Sequence, residues 1–484
     1  MTINRRDFAL ATAAAGLAAG TARAASANPD AGPAALADQV LRSEMKTRQI
    51  PGLQAAVVKD GKIVFQRALG ISNLQYGVPV TDKTIFSINS CTKSFTGVSM
   101  MQLVEAGQVS LDAAVSTYLD DLPPAWRAIT VRQLLSHVSG LPNAIDNASG
   151  EMVAETEAAL WAALRDRPLL FPAGERFHYC QTNYALLLNV IEKLTGRAFP
   201  EVIADRQLKI AGAARTGFGD SSDIIPGAAQ NYRMTYPVKL AAGQLANNHH
   251  NFPAFLRAGA GLNSTAGDMA RWLIALQSGR LLKETASLKT MWTAQTLNNG
   301  QPGEWALGWV PLARQQHPTV GCTGGGRAAF AVYPDDGVAV VILTNLAGGT
   351  PEDFADQLVQ PFIPGFRLNG VAALRVALQE TGFRDVAGAY AKLKRERPDF
   401  EISEIDLNNW AYRLMRTEQA MRSVELFKLA TVIFPGSGNA WDSLGDGYAW
   451  IGEKALSIAS YQKSLALDPG NINAVQQLKK LRGE

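Results

Sequence analysis

Cysteine is scarce in this chain. Three residues in 484, Cys91, Cys180 and Cys322, are too few and too odd in number for a disulfide framework. Charge is sparse too: charged residues make up 18 % of the chain, and the net charge is only +3. The one locally basic stretch, Lys392-Leu393-Lys394-Arg395-Glu396-Arg397, reads as a solvated helix face. No nucleic-acid partner is therefore expected. Past the first two dozen residues no run is long and apolar enough to span a bilayer, so the mature chain should have no membrane span. The five histidines (His137, His178, His249, His250 and His317) show no metal-ligand spacing, so neither metal nor other cofactor is expected. A G-x-S-x-G elbow is missing as well, which argues against a Ser-His-Asp hydrolase.

What is present describes a soluble globular protein, with 47 % hydrophobic residues and a length that exceeds one ordinary core. Residues 1–24 read as a targeting segment. Arg5-Arg6 precedes an Ala/Gly-rich run, and Ala22-Arg23-Ala24 supplies a small-x-small cleavage pattern. The paired arginines resemble a twin-arginine export signal, which predicts an exported, periplasmic protein.

Two hairpins bracket a helical middle. Ala55-Ala56-Val57-Val58 and Ile63-Val64-Phe65 flank Lys59-Asp60-Gly61-Lys62, a turn of the Asp-Gly kind. Far downstream, Ala328 to Tyr333 and Val338 to Thr344 flank Pro334-Asp335-Asp336-Gly337. Between them lie apolar helical repeats at Val98 to Val104, Leu160 to Leu164, Tyr184 to Leu194 and Met269 to Leu276. The economical reading is an α/β (α+β) domain over residues 33–365, its sheet built from both chain ends around a helical insertion. A helical linker over 366–403 follows. Residues 404–484 then repeat with a period of 34, as in Pro435 and Pro469, Phe427 and Tyr461, and Leu414 and Tyr448. This resembles tetratricopeptide repeats, which suggests packing, self-association or a protein partner for the tail.

The chemistry starts at Ser90-Cys91-Thr92-Lys93, where a strand-like run gives way to an apolar helix. Residues three apart share a helix face, so Lys93 can lie against the Ser90 oxygen and help take its proton. S-x-x-K recurs at Ser43–Lys46 and Ser460–Lys463, so context must choose. Ser43 falls on a polar helical stretch and Ser460 inside a repeat helix. After Ser90, at the start of an apolar helix, come in order Ser136-His137-Val138-Ser139-Gly140, Tyr179-Cys180-Gln181 and Cys322-Thr323-Gly324-Gly325.

With those elements in that order, residues 35 to 365 resemble the serine β-lactamase and penicillin-recognising superfamily, in its class C-like branch. The resemblance implies that Ser90 is acylated, that Lys93 is its partner base, and that Tyr179 shuttles protons to and from the leaving group. It implies an oxyanion hole from the amides of Ser90 and Gly325, with Gln181, Cys322, Thr323 and Gly324 lining the substrate. Expected substrates are esters, D-residue amides or peptides, or β-lactams.

Two positions depart from the family pattern. Gln181 stands where asparagine is usual, and Cys322 where lysine or histidine supplies a cation. The second change predicts weaker binding of carboxylate-bearing β-lactams. Arg327 could substitute, but regular strand alternation would point it away from Cys322. All three cysteines are expected near one cleft, either as small buried hydrophobes or as a redox pair such as Cys180 with Cys322. The rival reading is a non-catalytic sensor of cell-wall peptides signalling through the helical tail.

Overall fold

The computed structural model describes residues 32–145, 152–236, 241–312, 316–415, 417 and 419–483. The expected targeting segment, residues 1–24, lies outside them. A two-residue hairpin turn needs φ above zero at both turn positions to match the strand twist. Asp60 (φ 47°) and Gly61 (φ 73°) meet that need. They join strand β1 (Gly52–Lys59) to β2 (Lys62–Asn73), with Lys59 opposite Lys62.

At the far end of the domain, β6 (Ala328–Tyr333) turns through Gly337 (φ 64°) into β7 (Val338–Thr344). β1 and β7 then pair antiparallel, from Leu53 opposite Thr344 to Lys59 opposite Val338. With β3 (Val78–Pro79), β4 (Val310–Leu312) and β5 (Thr319–Gly324) they form a seven-stranded antiparallel sheet, ordered β3-β2-β1-β7-β6-β5-β4. Both chain ends therefore meet in the middle of one sheet, as the two hairpins imply.

β7 is buried along its whole length because both faces of the sheet are covered. One face packs on the helical insertion through Phe95, Trp272 and Phe330. The other takes α1 (Pro33–Arg48) and the short helix Ala355–Val359 through Leu41, Leu53, Tyr333 and Leu358. The four apolar repeats of the insertion fall in the helices Thr92–Glu105 (α2), Glu157–Leu164, Gln181–Thr195 (α3) and Ala266–Gln277. Two small three-stranded sheets had no visible signal in the sequence. Strands such as Phe86–Ser87 and Leu346–Ala347 are too short to show alternation.

Beyond Phe366 the chain is helical. Helices begin at Glu404, Ala420, Gly438, Lys454 and Ile472, so each 34-residue period holds one helical hairpin. A carboxylate at the centre of an arginine cluster helps tie this region to the α/β domain. Asp353 Oδ1 accepts from Arg413 Nη2 at 2.7 Å and Oδ2 from Arg48 Nη1 at 3.1 Å, while Arg375 donates to its backbone carbonyl. Arg48 belongs to α1, and Arg375 and Arg413 to the tail helices Gly370–Thr381 and Glu404–Met415. Burial works to raise the pKa of Asp353, but the three guanidiniums outweigh it and hold the carboxyl below its ordinary value. Asp353→Ala removes the shared partner of these largely buried guanidiniums, leaving Arg48 only Glu44 as an acidic partner, and is expected to cost about 3–5 kcal/mol. Urea denaturation followed by tryptophan fluorescence checks it, and a midpoint unchanged from wild type contradicts it.

A cleft of about 1430 Å³ opens between α1 and the tail helices, but Ser90, Lys93 and Tyr179 do not line it. Among the described residues no helix is long and apolar enough to cross a membrane.

Candidate active site

Ser90 lies in a single 3-10 turn, Asn89–Cys91, that runs straight into α2. Asn89 holds a left-handed conformation (φ 45°), which asparagine tolerates better than most residues. Its side chain accepts from Ser87 Oγ at 2.7 Å, and Thr92 Oγ1 bonds back to the Asn89 carbonyl at 2.6 Å. The turn is thereby pinned from both sides. The other two S-x-x-K serines stand elsewhere: Ser43 is exposed on α1, and Ser460 Oγ bonds the Leu456 carbonyl at 2.9 Å inside its own helix.

Tyr179 is the residue on Ser90, its Oη 2.8 Å from Ser90 Oγ. Lys93 sits one layer behind. It is fully buried, 4.7 Å above the Tyr179 ring centroid, and it donates to Gly259 O at 2.7 Å and to Gln181 Oε1 at 3.0 Å. The expected direct contact between Lys93 and the Ser90 oxygen is thus replaced by a contact through Tyr179. Burial lowers the Lys93 pKa to about 7, although the thiols of Cys322, Cys91 and Cys180 work against it. A neutral amine has two N–H donors and one lone pair. Here two carbonyl-type acceptors take both donors and leave the lone pair unused.

The Tyr179 phenol is shifted away from neutrality, not toward it. Burial raises it well above its ordinary value, and the hydrogen bond with Ser90 only partly offsets that. Tyr179 therefore stays a protonated relay, and the group that changes charge near neutrality is Lys93.

β5 closes the site. Gly324 lies so near the Ser90 turn that an added Cβ would stand 2.0 Å from Ile88 O and 3.1 Å from Ser90 N. Only glycine permits that approach. Gly325, left-handed at φ 57°, and Thr323 are both exposed beside it. Cys322 is turned inward: it is 2 % exposed and its Sγ approaches the Ser90 carbonyl at 3.5 Å. It packs behind the nucleophile instead of facing the cleft. Gln181 likewise spends its amide oxygen on Lys93.

All three cysteines are free and buried. The suggested pairing of Cys180 with Cys322 is corrected by their surroundings. Cys180 Sγ points to the carbonyls of Leu141 and Pro142, whereas Cys91 Sγ is the thiol directed at the Cys322 backbone, 3.6 Å from its carbonyl.

One contributor was invisible in the sequence, and another stood in one of its ordered elements without this role. Gly259 acts through a backbone carbonyl, which no side-chain pattern marks. His137 is a buried platform for the tyrosine: its ring centroid is 4.4 Å from that of Tyr179, and its Nδ1 accepts from the Cys180 N–H at 3.1 Å. Burial, then the charges on Lys93 and His178, keeps the imidazole neutral.

A serine on a pinned turn, a tyrosine on its oxygen, a buried lysine and an abutting glycine strand form one constellation, and comparison with known proteins places it. The chain matches protein flp of Staphylococcus aureus strain MW2 at 29 % identity, over 36 % of each chain. It matches penicillin-binding protein 4 of Amycolatopsis lactamdurans at 27 % identity, over 73 % of this chain and 95 % of that one. The octameric penicillin-binding protein homologue from Pyrococcus abyssi superposes with a TM-score of 0.57 at 26 % identity, covering 67 % of this chain and 75 % of that one. A class C β-lactamase mutant shares the fold, with a TM-score of 0.57 at 20 % identity over 67 % and 96 % of the two chains. The β-lactamase family model matches residues 37–360, the stretch that carries every group of the site, and the chain belongs to that family.

Proposed function

We propose that this chain is an exported serine hydrolase that works through an acyl-enzyme on Ser90, with esters, D-residue amides or peptides, or β-lactams as substrates. The observation that carries the reading is the 2.8 Å contact between Tyr179 Oη and Ser90 Oγ, backed by a buried lysine whose pKa lies near 7. As the Ser90 oxygen bonds the substrate carbonyl carbon, its proton passes to the Tyr179 oxygen and the phenol proton to the Lys93 amine. The Ser90 and Gly325 amides hold the carbonyl oxygen while it carries negative charge. Tyr179 returns the proton to the leaving group as its bond to the acyl carbon breaks. Water then attacks the ester, gives a proton back to Ser90 through the same groups, and releases the acid.

Intact mass measurement tests this, after exposure to benzylpenicillin, p-nitrophenyl acetate and D-alanyl-p-nitroanilide. At least one should add its acyl mass to wild type and none to Ser90→Ala. Equal adducts on both proteins would move the nucleophile elsewhere. An adduct that never turns over would favour the sensor reading, in which the cleft recognises cell-wall peptides without releasing product.

A further inference from the structure

Arg327 stands where the hairpin leaves the catalytic strand, two residues past Gly325. Gly325 and Gly326 are both left-handed (φ 57° and 61°), so strand alternation is interrupted before the arginine is reached. The side chain is 3 % exposed, and its Nε and Nη1 have no hydrogen-bond partner among the described residues. No carboxylate among the described residues neutralises it either, and burial alone lowers its pKa, to about 10. Arginine keeps its charge at any working pH. An isolated guanidinium in a dry wall is therefore a standing cost to the fold. Beside a cleft, such a charge is suited to an anion that arrives with the ligand.

Its place along the strand says which part of the ligand. Cys322, at the earlier end of the Cys322–Gly325 stretch, lies within electrostatic reach of Tyr179, the residue that serves the leaving group. Arg327 lies past the other end, two residues beyond Gly325, and its charge is felt at His250. That histidine is fixed to Ser221 by its N–H on Ser221 Oγ at 2.9 Å and by the Ser221 N–H on its carbonyl at 3.1 Å. Burial, then the charge on Arg327, pushes the His250 imidazole down to about 4, so it adds no charge to this wall. The nearby carboxylates are committed. Asp220 accepts the backbone N–H groups of Ser222 and Phe252, and Asp223 that of Asp220.

We propose that Arg327 receives a carboxylate carried on the acyl portion of the substrate, so that the enzyme prefers acidic acyl groups to neutral ones. This rests on the acyl-enzyme reading above. It also shifts the selectivity that Cys322 removes. A cation at 322 would serve the leaving-group end of the cleft, whereas Arg327 serves the acyl end.

Two esters that share one leaving group test it: mono-p-nitrophenyl glutarate and neutral p-nitrophenyl pentanoate. Wild type should favour the glutarate ester in kcat/KM, and Arg327→Gln should lower the glutarate-to-pentanoate ratio by about tenfold or more. Arg327→Lys should restore part of it. Glutarate alone should raise the Tm of wild type and leave that of Arg327→Gln unmoved. Arg327→Met should melt no lower than wild type, because it removes an uncompensated charge, which separates lost preference from lost folding. A ratio that Arg327→Gln leaves intact overturns the proposal. If neither ester acylates Ser90, the hydrolase reading fails and the Tm experiment decides alone. An Arg327-dependent shift with glutarate then upholds the anion site, and its absence overturns it.

Discussion

Replacing Lys93 with methionine is expected to lower kcat/KM by about 10²–10⁴-fold and to abolish a pH limb centred near 7. The sign follows from which form is competent. On the proposed reading the neutral amine takes up, through Tyr179, the proton that Ser90 releases, and its fraction grows as pH rises, so wild-type kcat/KM should climb through about pH 7 to a plateau. The groups packed around Lys93 sharpen the assignment. Burial raises Tyr179, Tyr184 and Cys91 above their ordinary values and Cys180 to about 11, while it keeps His137 well below 6.5. Cys322 is the competitor, because a hydrogen bond with Cys91 lowers its thiol pKa. Activity profiles of wild type, Lys93→Met and Cys322→Ala on p-nitrophenyl acetate separate the two. A limb that survives in Cys322→Ala belongs to the lysine, and one that vanishes there assigns it to the thiol.

Gly324→Ala should be nearly as damaging without touching any reacting group. The new methyl would meet backbone on the nucleophile's turn, at 2.0 Å from Ile88 O, and backbone cannot rotate aside as a flexible side chain does. β5 must back away and take the Gly325 amide with it. Loss of one oxyanion donor corresponds to about 10²–10³-fold in kcat. Circular dichroism should show a folded protein, and kcat on the same ester should show the loss. Near-wild-type turnover in that variant would mean that β5 supplies no donor.

The residues explain why some of this was legible in the sequence and some was not. Ser90 and Lys93 were readable because their chemistry and their spacing lie in one short segment at a helix start. The hairpins were readable because Asp60-Gly61 and Gly337 carry the backbone demand of the turn. The contact order inside the site was not readable. Lys93 is held by the carbonyl of Gly259, far along the chain, so nothing at position 259 announces it. Gln181 could be placed near the nucleophile, but not its use as the partner of Lys93. Cys322 had a predicted strand, yet its depth depends on how β5 lies against Ser90. The step from Cys322 to Arg327 was read as regular strand, whereas two left-handed glycines interrupt the alternation there.

The pairing of β1 with β7 has a further consequence, for the order in which the enzyme becomes reactive. The middle of the sheet joins residues 53–59 to 338–344. Contacts of such long sequence separation form late. A growing chain therefore carries its serine long before it possesses the strand that polarises the serine's target. Until β5 docks beside Ser90, the proposed oxyanion site is incomplete. On the acyl-enzyme reading the topology would act as a safety catch, released only when almost the whole domain has been made.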